Sequence, residues 1–141
     1  MPLVVAIAVV AVLIGILFVA FGRDPGPAPA DVAIAYERAW DRLDFSVLYD
    51  LSGDEMRDGL GRDEFVAAKR GAHGRGGARR VSESITVASA VRADDTALVV
   101  TELATADGRV RNDVVLERRT GRWAVIGYSL RRDGSPPGAP A

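Results

Sequence analysis

The sequence contains no cysteine and one histidine, and these two shortages exclude several classes of site. Without cysteine the chain can form no disulfide bond, no thiolate zinc site and no cysteine nucleophile. One histidine is too few for a metal site built on several imidazoles, and a Ser–His–acid triad would have to use His73. That residue lies in the glycine-rich stretch RGAHGRGGARR, where a free backbone would not hold a catalytic base in position. We therefore expect neither a bound metal nor a cofactor.

A surplus of charge of one sign is also absent. Eighteen basic residues face nineteen acidic residues among 141 positions, which gives a formal net charge of −1. Affinity for nucleic acid comes largely from cationic side chains that neutralise phosphates. A chain with balanced charge is therefore not expected to bind nucleic acid. Its length corresponds to one domain of ordinary size.

The N-terminus is an uncharged apolar run, PLVVAIAVVAVLIGILFVAFG, at positions 2–22. A helix of this length can cross about 30 Å of hydrocarbon. The run is apolar around its whole circumference, whereas a core helix keeps a polar stripe. These features predict a single-pass transmembrane anchor within residues 1–22, with the lipid bilayer of the cell membrane as the partner of residues 2–22.

A cleaved signal peptide is the alternative interpretation, because APA at positions 28–30 resembles a small-residue cleavage site. However, the run exceeds the roughly 7–15 apolar residues of a signal core, and no basic segment precedes it. Both features favour an uncleaved anchor. The flanking charges give little indication of sidedness.

Proline-rich segments flank the remainder of the chain. Residues 23–30, RDPGPAPA, carry three prolines in eight positions and predict a short, stiff linker. Residues 133–141, DGSPPGAPA, show no apolar periodicity and predict a disordered tail. The folded domain should therefore span residues 31–132.

The first half of this domain has helical periodicity. Asp31 is predicted to cap a first helix. Glu37 and Asp41 point away from the apolar face of that helix, and we expect both in solvent. A third helix is predicted in GRDEFVAAKRGAHG, whose acidic first turn and basic last turn match the helix dipole, with Gly71 as its stop. The apolar face falls on one arc about 100° wide and comprises Val32, Tyr36, Ala39, Trp40, Leu43 and Val47.

The acid-rich stretch between these helices does not fit a calcium loop, which needs glycine at its sixth position and glutamate at its twelfth. A loop that starts at Asp50 has Glu55 and Gly61 at these positions, and one that starts at Asp54 has Phe65 at the twelfth. Neither register fits. We expect a short second helix around residues 45–51, then a turn and another short helical piece.

From Arg79 onward the apolar period changes to alternation, which predicts strands. A long first strand is followed by strands at about 96–105, 110–118 and 122–130. Short hairpin signals join them, so the strands should form an antiparallel meander. Three helices followed by such a sheet predict an α+β domain in which the helices cover one face.

Two stretches resemble a known family. YERAWDRLDFSVLYDLSGDEMRDGLGRDEF, residues 36–65, is similar to the helical opening of nuclear transport factor 2-like (SnoaL-like) domains. In these domains a first helix ends in an aromatic residue, a D-F step follows, and a Y-x-L helix leads to a third helix. GRWAVIGYSL, residues 121–130, resembles their last strand with its G-x-W start. The resemblance covers residues 31–132, and its hydrophobic, structural motifs concern fold more than function.

The resemblance implies a cone-like domain of about three helices packed on a curved four-stranded antiparallel sheet, with a pocket at its mouth. Members include isomerases and dehydratases that use pocket carboxylates, and many others have no reported catalysis. Membrane-tethered members include scaffold subunits of secretion and conjugation machines, which implies an extracytoplasmic domain. No catalytic motif matches position by position, so no catalytic residue is carried over.

An acid or base on the concave face would have to interrupt the apolar alternation of a strand. Glu83 and Glu102 do so and are the candidate catalytic residues. Each would equally fit a solvated strand end or an ion pair with an arginine across the sheet, such as Arg111. The expected pocket-lining residues are Tyr36, Trp40, Tyr49, Asn112 and Trp123.

The sequence favours a membrane-tethered, non-enzymatic domain that binds a partner or a small ligand. Such a domain would serve as a subunit of a membrane or secretion-associated assembly, with a membrane protein or a second copy of the chain as its partner. The alternative is a small pocket enzyme of the isomerase or dehydratase type that uses a buried carboxylate.

Overall fold

The structure is a computed structural model that describes residues 26–73 and 82–131. The predicted anchor at 1–22, the first part of the linker and the predicted tail at 133–141 lie outside these ranges. Within them no helix is both long and apolar enough to cross a membrane. The described chain contains three α-helices packed on a four-stranded antiparallel sheet, which confirms the α+β prediction.

The three helices precede the sheet in the chain. Helix α1 spans Pro29–Arg42, helix α2 spans Phe45–Leu51, a 3₁₀ turn covers Asp54–Met56, and helix α3 spans Arg62–His73. Helix α3 continues past the glycine that was predicted to end it. Its acidic first turn and basic last turn match the helix dipole as expected.

The start of α1 differs from the prediction. The N-cap is Ala28, which provides no side-chain cap, and Pro29 occupies the first turn, where its missing N–H needs no partner. Asp31 therefore lies within the first turn instead of capping the helix. Its negative charge is still favourable there because the N-terminal end of a helix dipole is positive.

Helix α1 ends sharply at Leu43, which has a left-handed backbone with φ of 55°. The Leu43 N–H donates to the Trp40 carbonyl at 3.1 Å, and the Asp44 N–H donates to the Ala39 carbonyl at 2.8 Å. This is the Schellman arrangement, in which glycine normally takes the left-handed position. Asp44 then caps α2 by accepting from the Val47 N–H at 3.2 Å.

This break corrects the predicted apolar arc of the first helix. The predicted arc assumes one continuous helix through Val47, but the chain turns at Leu43 before Val47 is reached. Val47 is consequently 38% exposed on α2. The earlier arc positions Val32, Tyr36 and Ala39 are buried as predicted.

The sheet is a simple meander with the spatial order β1-β2-β3-β4. The strands are β1, Ser84–Ala93, β2, Thr96–Thr105, β3, Gly108–Arg119, and β4, Arg122–Leu130. Strands β2 and β4 have the predicted bounds. Bulges interrupt the pairing between Val87 and Ser89 and between Val115 and Leu116.

The turn between β3 and β4 has two consecutive residues with positive φ, Thr120 at 50° and Gly121 at 81°. Positive φ at both central positions is the feature of a type I′ hairpin turn, whose twist suits the flanking strands. Glycine adopts this backbone freely, whereas a β-branched threonine does so at a cost.

One face of the sheet packs against the helices and is called the inner face. On β2 it presents Ala97, Val99, Thr101 and Leu103, all of them buried. Helix α1 contacts β1, β2 and β4, and α2 contacts β4. The apolar core lies between these layers. It includes Phe45, Leu48, Phe65, Val114, Leu116 and Val125.

The two ends of the sheet differ in what they carry. At the end called the entry end lie the turns at 94–95 and 120–121, together with the start of α1, because a Cβ on Gly26 would lie 3.8 Å from the Gly121 carbonyl oxygen. At the opposite, far end lie the turn at 106–107 and the last residue of β4, Leu130. The described chain therefore enters the domain at one end and leaves it at the other.

Candidate functional site

A carboxylate is buried between α1 and the sheet. Glu37 on α1 has a relative exposure of 0%. Its Oε1 accepts from the Thr101 hydroxyl at 2.6 Å and from the Asn112 side-chain amide at 3.0 Å. Its Oε2 accepts from the Tyr128 hydroxyl at 2.9 Å. We call these four residues the Glu37 cluster.

The meander places the three donors next to one another. Thr101 and Asn112 are register partners on β2 and β3, and Val114, two residues beyond Asn112, pairs with Tyr128 on β4. Alternation along each strand then turns all three side chains to the inner face. The Asn112 amide also donates to the Tyr128 hydroxyl at 2.9 Å, so the donors are linked to each other as well as to the carboxylate.

The Glu37 cluster contains no cation. An ionised carboxylate is costly to bury unless hydrogen bonds or an opposite charge compensate it. Here every described partner of the Glu37 carboxylate is an uncharged hydroxyl or amide. A carboxylate offers about four acceptor positions, and these side chains fill three of them. The network is therefore nearly saturated from within the domain.

Aromatic side chains border the Glu37 cluster. The Tyr128 ring lies 5.3 Å from that of Tyr36 and stacks at 6.4 Å on that of Trp40. Burial raises the pKa of the Tyr36 hydroxyl, and hydrogen-bonding side chains at Ser52 and Trp40 partly offset this. The Trp40 indole N–H lies near that hydroxyl but meets no described acceptor with full hydrogen-bond geometry.

Helix α3 supplies the next layer around Trp40. The His73 ring packs edge-on against the Trp40 ring at 5.3 Å, and the Lys69 ammonium lies 5.9 Å from the centre of the indole ring. Cations are attracted to the face of an indole ring. The single histidine is thus part of an aromatic contact at the end of α3.

The two candidate catalytic residues lie apart from this cluster. Glu83 precedes β1, and its side chain is exposed. Glu102 lies on the outer face of the sheet, where it pairs with Arg111 at 2.7 Å and with Arg109 at 3.2 Å. The Arg111 hydrogen bond holds the pKa of the Glu102 carboxyl below its ordinary value. The structure does not bring Glu83 and Glu102 together.

The predicted pocket-lining residues fall into three places. Tyr36, Trp40 and Asn112 belong to the Glu37 cluster or border it. Tyr49 packs edge-on against Phe65 at 5.5 Å, and Arg57 lies over its ring. Trp123 lies near the entry end, where the Arg92 and Arg118 guanidinium groups lie 5.2 and 5.9 Å from the centre of its ring.

A depression of about 500 Å³ opens at the entry end beside Trp123. Its walls come from the start of α1, the end of α2 and the turn between β3 and β4. Arg57, Arg119 and Arg122 line it, together with Asp50 and Asp54. None of the four residues of the Glu37 cluster lines this depression, so the two places are separate.

Sequence reasoning missed Glu37, which was expected in solvent and is completely buried. The helical wheel places it away from the predicted core face, because a wheel ignores how far the sheet wraps around α1. The sequence signal for this buried polar cluster lies in the strands. Thr101 and Asn112 are polar residues at positions whose neighbours two residues away are apolar.

No group of histidine, aspartate and glutamate residues within ranges 26–73 and 82–131 is arranged to hold a metal ion. The acidic residues between α1 and α3 are mostly exposed. Several pair with arginines, as Asp50 does with Arg62 and Glu55 with Arg119. These ion pairs lie at the protein surface and near helix ends.

No protein-family model matches the chain, and no curated protein matches it. Among solved structures the chain is similar to the crystal structure of a DUF4783 family protein from Bacteroides ovatus. The two share 15% sequence identity with a TM-score of 0.46, and the match covers 68% of this chain and 90% of that chain. A similarity of this degree carries no information on activity.

Proposed function

We propose that the chain is a membrane-tethered domain that binds a partner or a small ligand and does not catalyse a reaction. Residues 2–22 would hold it in the bilayer, with the domain on the extracytoplasmic side. Its fold would be a nuclear transport factor 2-like cone. The two strand bulges support the curvature that a cone requires, because bulges bend the strands that contain them.

The hydrogen bonding of the Glu37 cluster is the observation that supports a function without catalysis. Three donors of the domain itself already occupy the one completely buried carboxylate of the described residues. A general base needs an acceptor position within reach of the proton that it removes. A carboxylate held in this way instead fixes α1 to β2, β3 and β4.

The anchor and its sidedness can be tested on one variant. Ser135→Cys gives this cysteine-free chain a single thiol. We expect the variant to remain in the membrane fraction after an alkaline carbonate wash and to react in intact cells with a membrane-impermeant maleimide. Lysed cells provide the control for full reactivity. Release by the wash would contradict the anchor, and reaction only after lysis would contradict the extracytoplasmic placement.

The binding role predicts a defined partner. Crosslinking in intact cells should give one discrete adduct in the membrane fraction, either with a membrane protein or with a second copy of the chain. The same adduct should persist in Glu83→Gln, because that exposed side chain has no described partner. A chain that remains entirely uncrosslinked in every fraction would contradict the proposal.

The buried Glu37 carboxylate favours one alternative, a pocket enzyme of the isomerase or dehydratase type. In that case Glu37, and neither Glu83 nor Glu102, would be the base. The test is exchange of α-protons of enolisable carbonyl compounds with deuterated water, followed by NMR. Exchange that is abolished in Glu37→Gln and retained in Glu83→Gln would establish the enzyme and overturn the binding proposal.

A further inference from the structure

The entry end of the domain lies close to the end of the apolar run. Gly26 lies against the turn between β3 and β4, and it is only four positions beyond Gly22, the last residue of that run. An extended chain covers at most about 3.6 Å per residue, so this link spans no more than about 14 Å. If residues 2–22 cross the membrane, as proposed above, the entry end must therefore lie next to the headgroups.

The charges on the walls of the depression are mostly paired. Arg57 pairs with Asp54 at 3.2 Å, and Arg119 pairs with Glu55 and Glu117. Asp50, the other acidic residue of the depression, pairs with Arg62 on α3. These pairs leave little net charge on the walls of the depression.

Arg122 is the exception among the arginines that line the depression. It is exposed, and no carboxylate of the described residues pairs with it. It follows the turn at 120–121, which is the part of the sheet adjacent to Gly26. A guanidinium binds phosphate oxygens through two parallel hydrogen bonds. Among the described residues, the one unpaired cation of the depression therefore lies where headgroup phosphates would be.

The start of α1 also lies at this end, and Asp31 in its first turn partly offsets the positive end of the helix dipole. Its N-cap, Ala28, provides no side-chain acceptor for the first backbone N–H groups. Such groups carry the positive end of the helix dipole. Pro27 and Val32, on either side of this helix start, both line the depression.

We infer that the entry end rests on the headgroup phosphates of the bilayer that holds the anchor, with Arg122 as the principal cationic contact. This inference depends on the proposed anchor and goes beyond it by fixing which way the domain faces. The far end, with the turn at 106–107 and the end of β4, then points away from the membrane. Because β3 has twelve residues, the two ends are separated by about 40 Å.

One arginine is sufficient for this role because the domain is already tethered. An arginine near an anionic membrane surface shifts the equilibrium between the membrane-bound and the unbound domain by about fivefold. Tethering replaces a second bimolecular association by an intramolecular one at high effective concentration. A weak contact can therefore set the orientation of a tethered domain although it would not recruit a free one.

The test uses the full chain in nanodiscs and two single-cysteine variants, Thr120→Cys at the entry end and Asp107→Cys at the far end. Each thiol carries an environment-sensitive fluorophore, and headgroup-labelled nitroxide lipids serve as quenchers. We expect strong quenching at position 120 and little at position 107. Replacing zwitterionic lipid partly with anionic lipid should increase the quenching at position 120. Equal quenching at both positions, or stronger quenching at 107, would overturn the inference.

The role of Arg122 is tested by adding Arg122→Gln to the Thr120→Cys variant. We expect the increase in quenching at position 120 that anionic lipid causes to fall by about fivefold. The matched control is Arg42→Gln, which removes an exposed arginine at the other end of α1, about 20 Å from Pro29. An Arg122→Gln variant that behaves like Arg42→Gln would refute the phosphate contact. The same variants are also reconstituted in lipid vesicles and washed with alkaline carbonate. A chain that stays with the vesicles has kept its anchor, so loss of the phosphate contact is distinguished from loss of the anchor.

Discussion

The Glu37 cluster makes a quantitative prediction about stability. In Glu37→Ala the Thr101 hydroxyl, the Asn112 amide and the Tyr128 hydroxyl all lose their acceptor. Leaving a buried donor without a partner costs about 1–3 kcal/mol. Two of the donors keep a second contact, since Thr101 lies 3.5 Å from the Asn112 carbonyl oxygen and Asn112 still donates to Tyr128. We therefore expect a total loss of about 2–4 kcal/mol.

The isosteric variant Glu37→Gln should cost less. Its side-chain oxygen can keep the bonds from Thr101 and Asn112, and its amide nitrogen replaces Oε2 opposite the Tyr128 hydroxyl. That hydroxyl must then accept instead of donating, so one hydrogen bond is reorganised. Removal of a buried charge without a cationic partner offsets part of this loss. We expect a net cost of about 1 kcal/mol.

Thermal unfolding of the full chain in detergent micelles measures both values. Trp40 and Trp123 are the only tryptophans, and both lie in the folded domain, so intrinsic fluorescence reports on it alone. For a domain of about 100 residues each kcal/mol shifts Tm by about 4–8 °C. Glu37→Ala should therefore lower Tm by about 10–25 °C and Glu37→Gln by about 5 °C.

The control and the refuting result are specific. Glu83→Ala removes an exposed glutamate and should change stability by less than about 0.5 kcal/mol. If Glu37→Ala has no larger effect than this control, the carboxylate does not hold α1 to the sheet. A double-mutant cycle of Glu37→Gln with Tyr128→Phe should give a coupling of about 0.5–2 kcal/mol, because the two side chains are in direct contact. Strict additivity would contradict the hydrogen bond between them.

Three further predictions concern the surface and the backbone. Because the folded pKa of Glu102 is depressed below 4.5, its ion pairs stabilise the domain above that pH and are lost as pH falls through the folded value. Glu102→Gln should accordingly flatten the acid limb of stability against pH, and an unchanged limb would refute this. Gly53→Ala should cost about 1–3 kcal/mol in chemical denaturation, because its Cβ would approach the Ile126 Cγ2 to 2.9 Å. Thr120→Asn should raise stability by about 0.5–1 kcal/mol by relieving a left-handed β-branched residue, and a loss would argue against a type I′ turn.

The sheet could be predicted from sequence because its information is local. Alternating polarity and short turn signals define β2 and β4 to the residue. Each strand pairs with its neighbours in the chain, so no long-range choice of partner was needed. Alternation from Arg79 predicts a long first strand; residues 79–81 lie outside the described ranges, and the described strand begins at Ser84. The alternation of polarity in one strand cannot show where the pairing with its neighbouring strand ends.

The candidate site could not be predicted because it depends on contacts between distant parts of the chain. Glu37 is 64 residues from Thr101 and 91 residues from Tyr128. A wheel drawn for an isolated helix assumes that only one arc is covered, and α1 is covered more widely than that. The left-handed Leu43 was missed for a related reason, since glycine is the usual signal for such a helix end and this chain uses leucine.

The span of the Glu37 hydrogen bonds also governs when the domain can fold during synthesis. Helix α1 leaves the ribosome early, but Tyr128, which closes the cluster, is made 91 residues later. At about 5–20 residues per second, α1 must wait several seconds for that strand. Until that strand is available, the Glu37 carboxylate lacks its full set of buried donors, so burying it would be costly.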